Sequence, residues 1–127
     1  MVSNDDALAA IYYLSSVYGV PPPKRVIFGR VKTGLYVNGR ADTILLCNNP
    51  PLRVVAHEFI HHYLHVTGQG KPTEEEEHRF MWETGLEEQA LEALKMAGIG
   101  HYSSASPIAL GLIAGVSILL ATWILSQ

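Results

Sequence analysis

The chain has 127 residues, of which 48% are hydrophobic and 17% are charged, and its net charge is -3. This length allows one soluble domain, the composition excludes a disordered chain, and the slight acidic excess argues against electrostatic binding to nucleic acid. The single cysteine, Cys47, excludes an internal disulfide. The mean hydropathy of +0.14 is high for a small soluble domain, so the apolar excess must be concentrated in one part of the chain.

The first half of the chain predicts a helix followed by three short strands. Apolar residues recur at helical spacing over 5–18, with Asn4 or Asp5 as the cap, and a glycine and three prolines end the helix. Turn-forming residues then separate three runs of strand-like composition. These predicted strands cover 25–28, 35–37 and 43–47.

The second half predicts two helices. Consecutive asparagines and prolines at 48–51 end the sheet and start a helix over 52–67. Thr73 is suited to cap the next helix, which runs to about residue 97 with a break near Gly85. The order of helix, three strands and two helices predicts one α+β domain over 1–98, followed by a small-residue linker over 99–106.

The apolar excess lies near the C-terminus, where residues 107–125 contain no charge. A helix of about 20 apolar residues crosses the hydrocarbon core of a bilayer, so this stretch predicts a single C-terminal membrane anchor. The N-terminal residues carry Asp5 and Asp6 and no basic segment, which is not the pattern of a signal peptide. We therefore expect the domain to face the cytoplasm. Gly111 and Gly115 form a GxxxG pair that could bring two such helices together in a homodimer.

The helix after the sheet contains an HExxH motif formed by His57, Glu58 and His61. Positions i and i+4 lie on one helical face, so both imidazoles can bind one tetrahedral Zn²⁺. The glutamate between them can act as the general base on a zinc-activated water.

A catalytic zinc site needs a third protein ligand. The metzincin pattern requires glycine and histidine where this chain has Leu64 and Thr67, so that class is excluded. His65 is two turns from His57 and too distant to share its ion, and Cys47 fits a buried strand thiol better than a ligand. His62 points away from the face of the HExxH histidines. The acidic start of the next helix, Glu74–Glu77 followed by His78, remains as the source of the ligand.

The segments 57–65 (HEFIHHYLH) and 76–80 (EEHRF) together resemble the gluzincin-type peptidases of the minigluzincin and ImmA/IrrE kind. In those families a downstream helix supplies a glutamate ligand four residues before a phenylalanine. If Phe80 is that phenylalanine, the resemblance implies Glu76 as the third zinc ligand beside His57 and His61.

The resemblance also leaves alternatives open and implies further features. Glu75 and Glu77 are the nearest alternatives to Glu76 as the ligand. A minimal zincin-like fold is implied, in which the strand 43–47 is an edge strand that pairs with an extended peptide. Glu83 shares a helical face with Glu76 and could orient a ligand histidine. Candidates for the oxyanion donor are Tyr63, His78, His101 and Tyr102.

The sequence therefore predicts a zinc metallopeptidase that is tethered to a membrane and acts on a protein or peptide substrate. The alternative is a catalytically weak or inactive zinc-binding domain that acts as a membrane-anchored binding or regulatory module. Neither interpretation involves contact with nucleic acid.

Overall fold

A computed structural model of the protein describes residues 1–37 and 42–99. Within these ranges the fold is α+β, with four helices and a three-stranded mixed sheet, which confirms the predicted class. In chain order the elements are α1 (Asn4–Tyr18), β1 (Arg25–Phe28), β2 (Gly34–Val37), β3 (Thr43–Leu46), α2 (Leu52–Val66), α3 (Glu74–Thr84) and α4 (Leu86–Met96).

The predicted anchor over 107–125, with Gly111 and Gly115, lies outside the described residues, as do His101 and Tyr102. The same holds for the predicted linker over 99–106 except for its first residue. None of the helices in the described part of the chain has the length and apolar character needed to cross a membrane.

Local capping interactions set most of the helix boundaries. Ser3, rather than Asn4 or Asp5, caps α1, because its hydroxyl accepts a hydrogen bond from the backbone N–H of Asp6. The predicted cap of α3 is confirmed, since the Thr73 hydroxyl accepts from a backbone N–H of the first turn at 3.1 Å. Gly85 has φ +69°, a left-handed conformation that favours glycine, and it breaks the predicted long helix into α3 and α4.

The sheet has the order β1-β3-β2, in which β3 runs parallel to β1 and antiparallel to β2. The implied edge position of the strand at 43–47 is therefore wrong, because β3 is the central strand and the edges are β1 and β2. The reason is burial: Ile44 and Leu46 are fully buried, so β3 is the strand that gains most from neighbours on both sides.

Helix α2 is the central helix of the domain, with contacts to α1, to α4 and to the sheet. Phe59, Ile60 and Leu64 are completely buried and form the core with β3 and α1. Polar residues of the same helix are buried too, including Glu58, His61 and His62. Because buried polar groups need partners, the burial of these side chains indicates that α2 carries a polar site.

Candidate metal centre

Three histidine side chains meet between α2 and α3. His57 and His61 lie one turn apart on α2, and their Nε2 atoms are 3.1 Å apart. The Nε2 atom of His78, on α3, is 3.2 Å from that of His57 and 3.1 Å from that of His61. The three nitrogens therefore form a nearly equilateral triangle, and we call these residues the histidine cluster.

Two carboxylates fix the orientation of the α2 imidazoles. Nδ1 of His57 is 2.5 Å from Oε1 of Glu87, and Nδ1 of His61 is 2.5 Å from Oε1 of Glu77. A carboxylate only accepts, so in each pair Nδ1 carries the proton and donates it. The Nε2 atoms of His57 and His61 are then left with lone pairs that face one another, an arrangement that a cation at the centre would stabilise.

The geometry of the histidine cluster fits zinc. Zinc–nitrogen bonds are about 2.0–2.1 Å long, so two ligands of a tetrahedral ion lie about 3.3 Å apart. The observed separations of 3.1–3.2 Å are close to this value. Three protein ligands leave the fourth position open, which is the arrangement of catalytic rather than structural zinc sites.

Glu58 follows His57 on α2, and its side chain packs closely against Gly34 of β2. Its side chain is buried, with 6% of the residue exposed. A Cβ atom at Gly34 would lie 2.8 Å from both Cγ and Oε2 of Glu58, so the glycine makes room for the carboxyl group. Burial, reinforced by the charges of Glu74 and Glu87, raises the pKa of Glu58 to about 8. A pKa near neutral suits a group that takes up and returns a proton.

The structure does not bring Glu76 to the cluster. Residues on a helix are turned by about 100° each, so Glu76 and His78, two positions apart, face nearly opposite directions. With His78 directed at α2, the side chain of Glu76 is exposed to solvent. An imidazole therefore stands where the resemblance implies a carboxylate. The sequence contains one sign of this, a histidine at the end of the acidic run that remains as the source of the third ligand.

Among the other glutamates of α3, only Glu77 contacts an HExxH histidine in the described part of the chain. Glu77, an alternative ligand, contacts Nδ1 of His61 and so orients this histidine instead. Glu83, the expected orienting group, is exposed, as is Glu75. Glu74 is exposed as well, but its Oε1 atom is 3.6 Å from Nε2 of His78.

Glu87 belongs to the candidate site, although no motif in the sequence points to it. It lies in the first turn of α4 and contacts Nδ1 of His57 across the α2–α4 interface. An acidic residue in a first turn is common, because it is favoured by the helix dipole. Only the docking of α4 on α2 distinguishes Glu87 from the neighbouring acidic residues.

The remaining sequence candidates lie outside the cluster. His62 is 1% exposed, with Nε2 2.7 Å from the Pro21 carbonyl oxygen, so this side chain is packed in the interior. The Nε2 atom of His65 is 3.5 Å from an Asp42 carboxylate oxygen. The Tyr63 ring packs edge-on against another tyrosine in the core.

Cys47 also lies outside the cluster, where its backbone N–H donates to the Thr33 carbonyl oxygen at 2.8 Å. A recess of about 310 Å³ borders the cluster on the side of His61. Its other lining residues are Tyr36, His65, Gly68, Gly70, Lys71 and Glu77.

No protein-family model, curated protein or solved structure matches this chain.

Proposed function

We propose that this protein is a zinc-dependent metallopeptidase in which His57, His61 and His78 hold the ion and Glu58 is the general base. The observation that supports the proposal is the convergence of three Nε2 atoms, 3.1–3.2 Å apart, beside a buried glutamate. Within an HExxH helix, this is the donor set and the base that metal-assisted hydrolysis of a peptide bond requires.

Each residue has a defined role in this chemistry. When bound, zinc would polarise the scissile carbonyl and activate a water molecule. Glu58 would accept a proton from that water and return it to the departing amine nitrogen. Glu77 and Glu87 would keep His61 and His57 in the tautomer that presents Nε2. Close packing of Gly34 on Glu58 would hold the carboxyl group in place.

The order of the elements supports a minimal zincin-like fold. A helix, a small sheet, the HExxH helix and a helix with the third ligand follow one another, as the gluzincin resemblance implies. The proposal departs from the gluzincins in the third ligand, which becomes His78 instead of Glu76. The substrate would be a protein or an extended peptide.

We also propose that residues 107–125 tether the enzyme to a membrane. The support is the sequence alone, which runs for nineteen residues without a charge and has Trp123 near its end. A tethered peptidase would encounter substrates at the membrane surface.

Metal content of the purified full chain tests the ligand set. We expect about one zinc per wild-type chain and a large loss in His57→Ala, His61→Ala and His78→Ala. Glu76→Ala and His65→Ala are matched controls, because they change the same residue types outside the cluster, and they should retain zinc. A His78→Ala protein with full zinc, together with a Glu76→Ala protein that has lost it, would refute the proposed ligands.

Cleavage of a peptide library, followed by mass spectrometry, tests the chemistry. Glu58→Gln should keep its zinc and lose cleavage by a factor of at least 100, since general-base catalysis contributes about 10²–10⁴. A Glu58→Gln protein that cleaves at the wild-type rate refutes the role of Glu58. Zinc binding without cleavage by the wild-type chain would instead favour a membrane-anchored binding module.

A further inference from the structure

A side chain outside the metal centre connects to it through α4. Arg53 lies one turn before His57 on α2, and its Nη1 atom is 3.0 Å from Oε2 of Glu87. The other oxygen of Glu87 accepts the hydrogen bond from Nδ1 of His57. A guanidinium, a carboxylate and an imidazole thus form a continuous chain that ends at a metal-facing nitrogen. Arg53 also donates to the neighbouring Glu88.

The two carboxylates that orient histidines are anchored in different ways. Glu77 uses Oε1 for His61 and Oε2 for the backbone N–H of Lys71, at 2.9 Å. A backbone amide is placed by the fold itself. Glu87 instead has a side chain, Arg53, as the donor to its second oxygen. The orientation of His57 therefore depends on one further side chain, whereas that of His61 does not.

We propose that Arg53 is a positioning residue of the metal centre, which acts through Glu87 on His57. Hydrogen bonds to both carboxylate oxygens restrict the rotamers that Glu87 can adopt, so its Oε1 atom stays aligned with Nδ1 of His57. Without the hydrogen bond from Arg53 to Glu87, His57 can also adopt the tautomer with the proton on Nε2, and in that tautomer Nε2 has no lone pair with which to bind the metal. This inference rests on the zinc centre of the proposed function, but not on peptide cleavage.

The side chain of Arg53 is 52% exposed, so its loss should leave the fold intact. Arg53→Met keeps the apolar stem and removes the guanidinium. Arg53→Lys keeps the charge but has a single ammonium group in place of the planar fork. Arg25→Met is the matched control, because it makes the same chemical change at an exposed position on an edge strand.

Two measurements on the full chain test the inference. Histidine ¹⁵N NMR of EDTA-treated protein reports which ring nitrogen of His57 carries the proton. Competition with a chromophoric chelator gives the zinc affinity. In wild type and in Arg25→Met we expect the proton on Nδ1. In Arg53→Met we expect a mixture of tautomers and an affinity about tenfold weaker, within the range seen for groups that support metal ligands. Arg53→Lys should be intermediate.

A double-mutant cycle distinguishes positioning from a general structural effect. If Arg53 acts through Glu87, Arg53→Met should weaken zinc binding no further once Glu87→Gln is present. The inference is overturned if Arg53→Met leaves both the tautomer of His57 and the zinc affinity unchanged, or if the two substitutions are additive. Absence of cleavage would leave this test valid, whereas a wild-type chain that binds no zinc would overturn both the inference and the proposed function.

Discussion

Replacing Glu58 by glutamine should stabilise the metal-free protein at neutral and alkaline pH. Burial raises the pKa of this carboxyl group from 4.5 to about 8, with further contributions from Glu74 and Glu87. A group whose pKa is raised on folding contributes stability that is complete below its unfolded pKa and is lost as the pH rises through its folded pKa. The cost of ionising Glu58 therefore grows between pH 4.5 and pH 8.

The magnitude follows from linkage. Each pKa unit corresponds to 1.36 kcal/mol, so the ionisable group costs about 3 kcal/mol at pH 7 and about 4 kcal/mol at pH 8. Glutamine has nearly the same shape as glutamate and cannot ionise. For a domain of about 100 residues this gain corresponds to a rise in Tm of at least about 10 °C. Near pH 4.5 the two proteins should be almost equally stable.

Urea denaturation followed by circular dichroism, on EDTA-dialysed protein at pH 5 and pH 8, measures the effect. Glu75→Gln, which removes a charge from an exposed side chain, is the control and should change little at either pH. Zinc should reduce the advantage of Glu58→Gln, because a nearby cation favours the ionised carboxylate. The reasoning is refuted if Glu58→Gln gains no more stability at pH 8 than at pH 5.

Three further predictions concern the packing around the site. Gly34→Ala should destabilise the fold by about 1–3 kcal/mol in urea denaturation, since the new Cβ meets Glu58 at 2.8 Å; an unchanged midpoint contradicts this. His62→Phe should cost about 1–3 kcal/mol by leaving the Pro21 carbonyl oxygen without its 2.7 Å partner, and full stability by the same assay contradicts that role. Burial, chiefly, lowers the pKa of both His61 and His62. Glu58 acts in the opposite direction over this range, so the effect is measured in Glu58→Gln. This metal-free variant should lose stability as the pH falls below 6.5, where the unfolded state binds more protons, and a flat pH profile between 6.5 and 5 is the contrary result.

Local signals account for the parts of the fold that the sequence predicts well. Thr73 caps α3 through its own hydroxyl, and Gly85 breaks the long helix through its own backbone conformation. The order of the strands depends instead on pairing between distant segments. The central position of β3 follows from the burial of Ile44 and Leu46 against α2, which no local pattern specifies.

The same distinction applies to the candidate site. His57, Glu58 and His61 lie within one helix, so the helical repeat alone predicts that the two imidazoles share a face. His78 comes from another helix, and its assignment depends on the rotation of α3 about its axis. Glu76, which the resemblance implies as the ligand, and His78 are two residues apart, so their side chains are turned by about 200° relative to one another. The motif alone therefore does not determine which of the two faces α2. The prediction of the base and of two cluster members is thus more secure than any prediction across helices.

Two glutamates of the acidic run at the start of α3, Glu74 and Glu77, belong to a group of carboxylates around the histidine cluster. Four carboxylates, those of Glu58, Glu74, Glu77 and Glu87, lie around three imidazoles. Glu77 and Glu87 accept hydrogen bonds from the Nδ1–H groups of His61 and His57. The negative charge of Glu74 contributes to the raised pKa of Glu58. A dication bound by the Nε2 atoms would attract all four carboxyl groups. It would also remove the repulsion between the Nε2 lone pairs that face one another. Because the ligands and the carboxylates come from α2, α3 and α4, the ion would stabilise the docking of all three helices, so metal binding and the packing of this domain are expected to be linked.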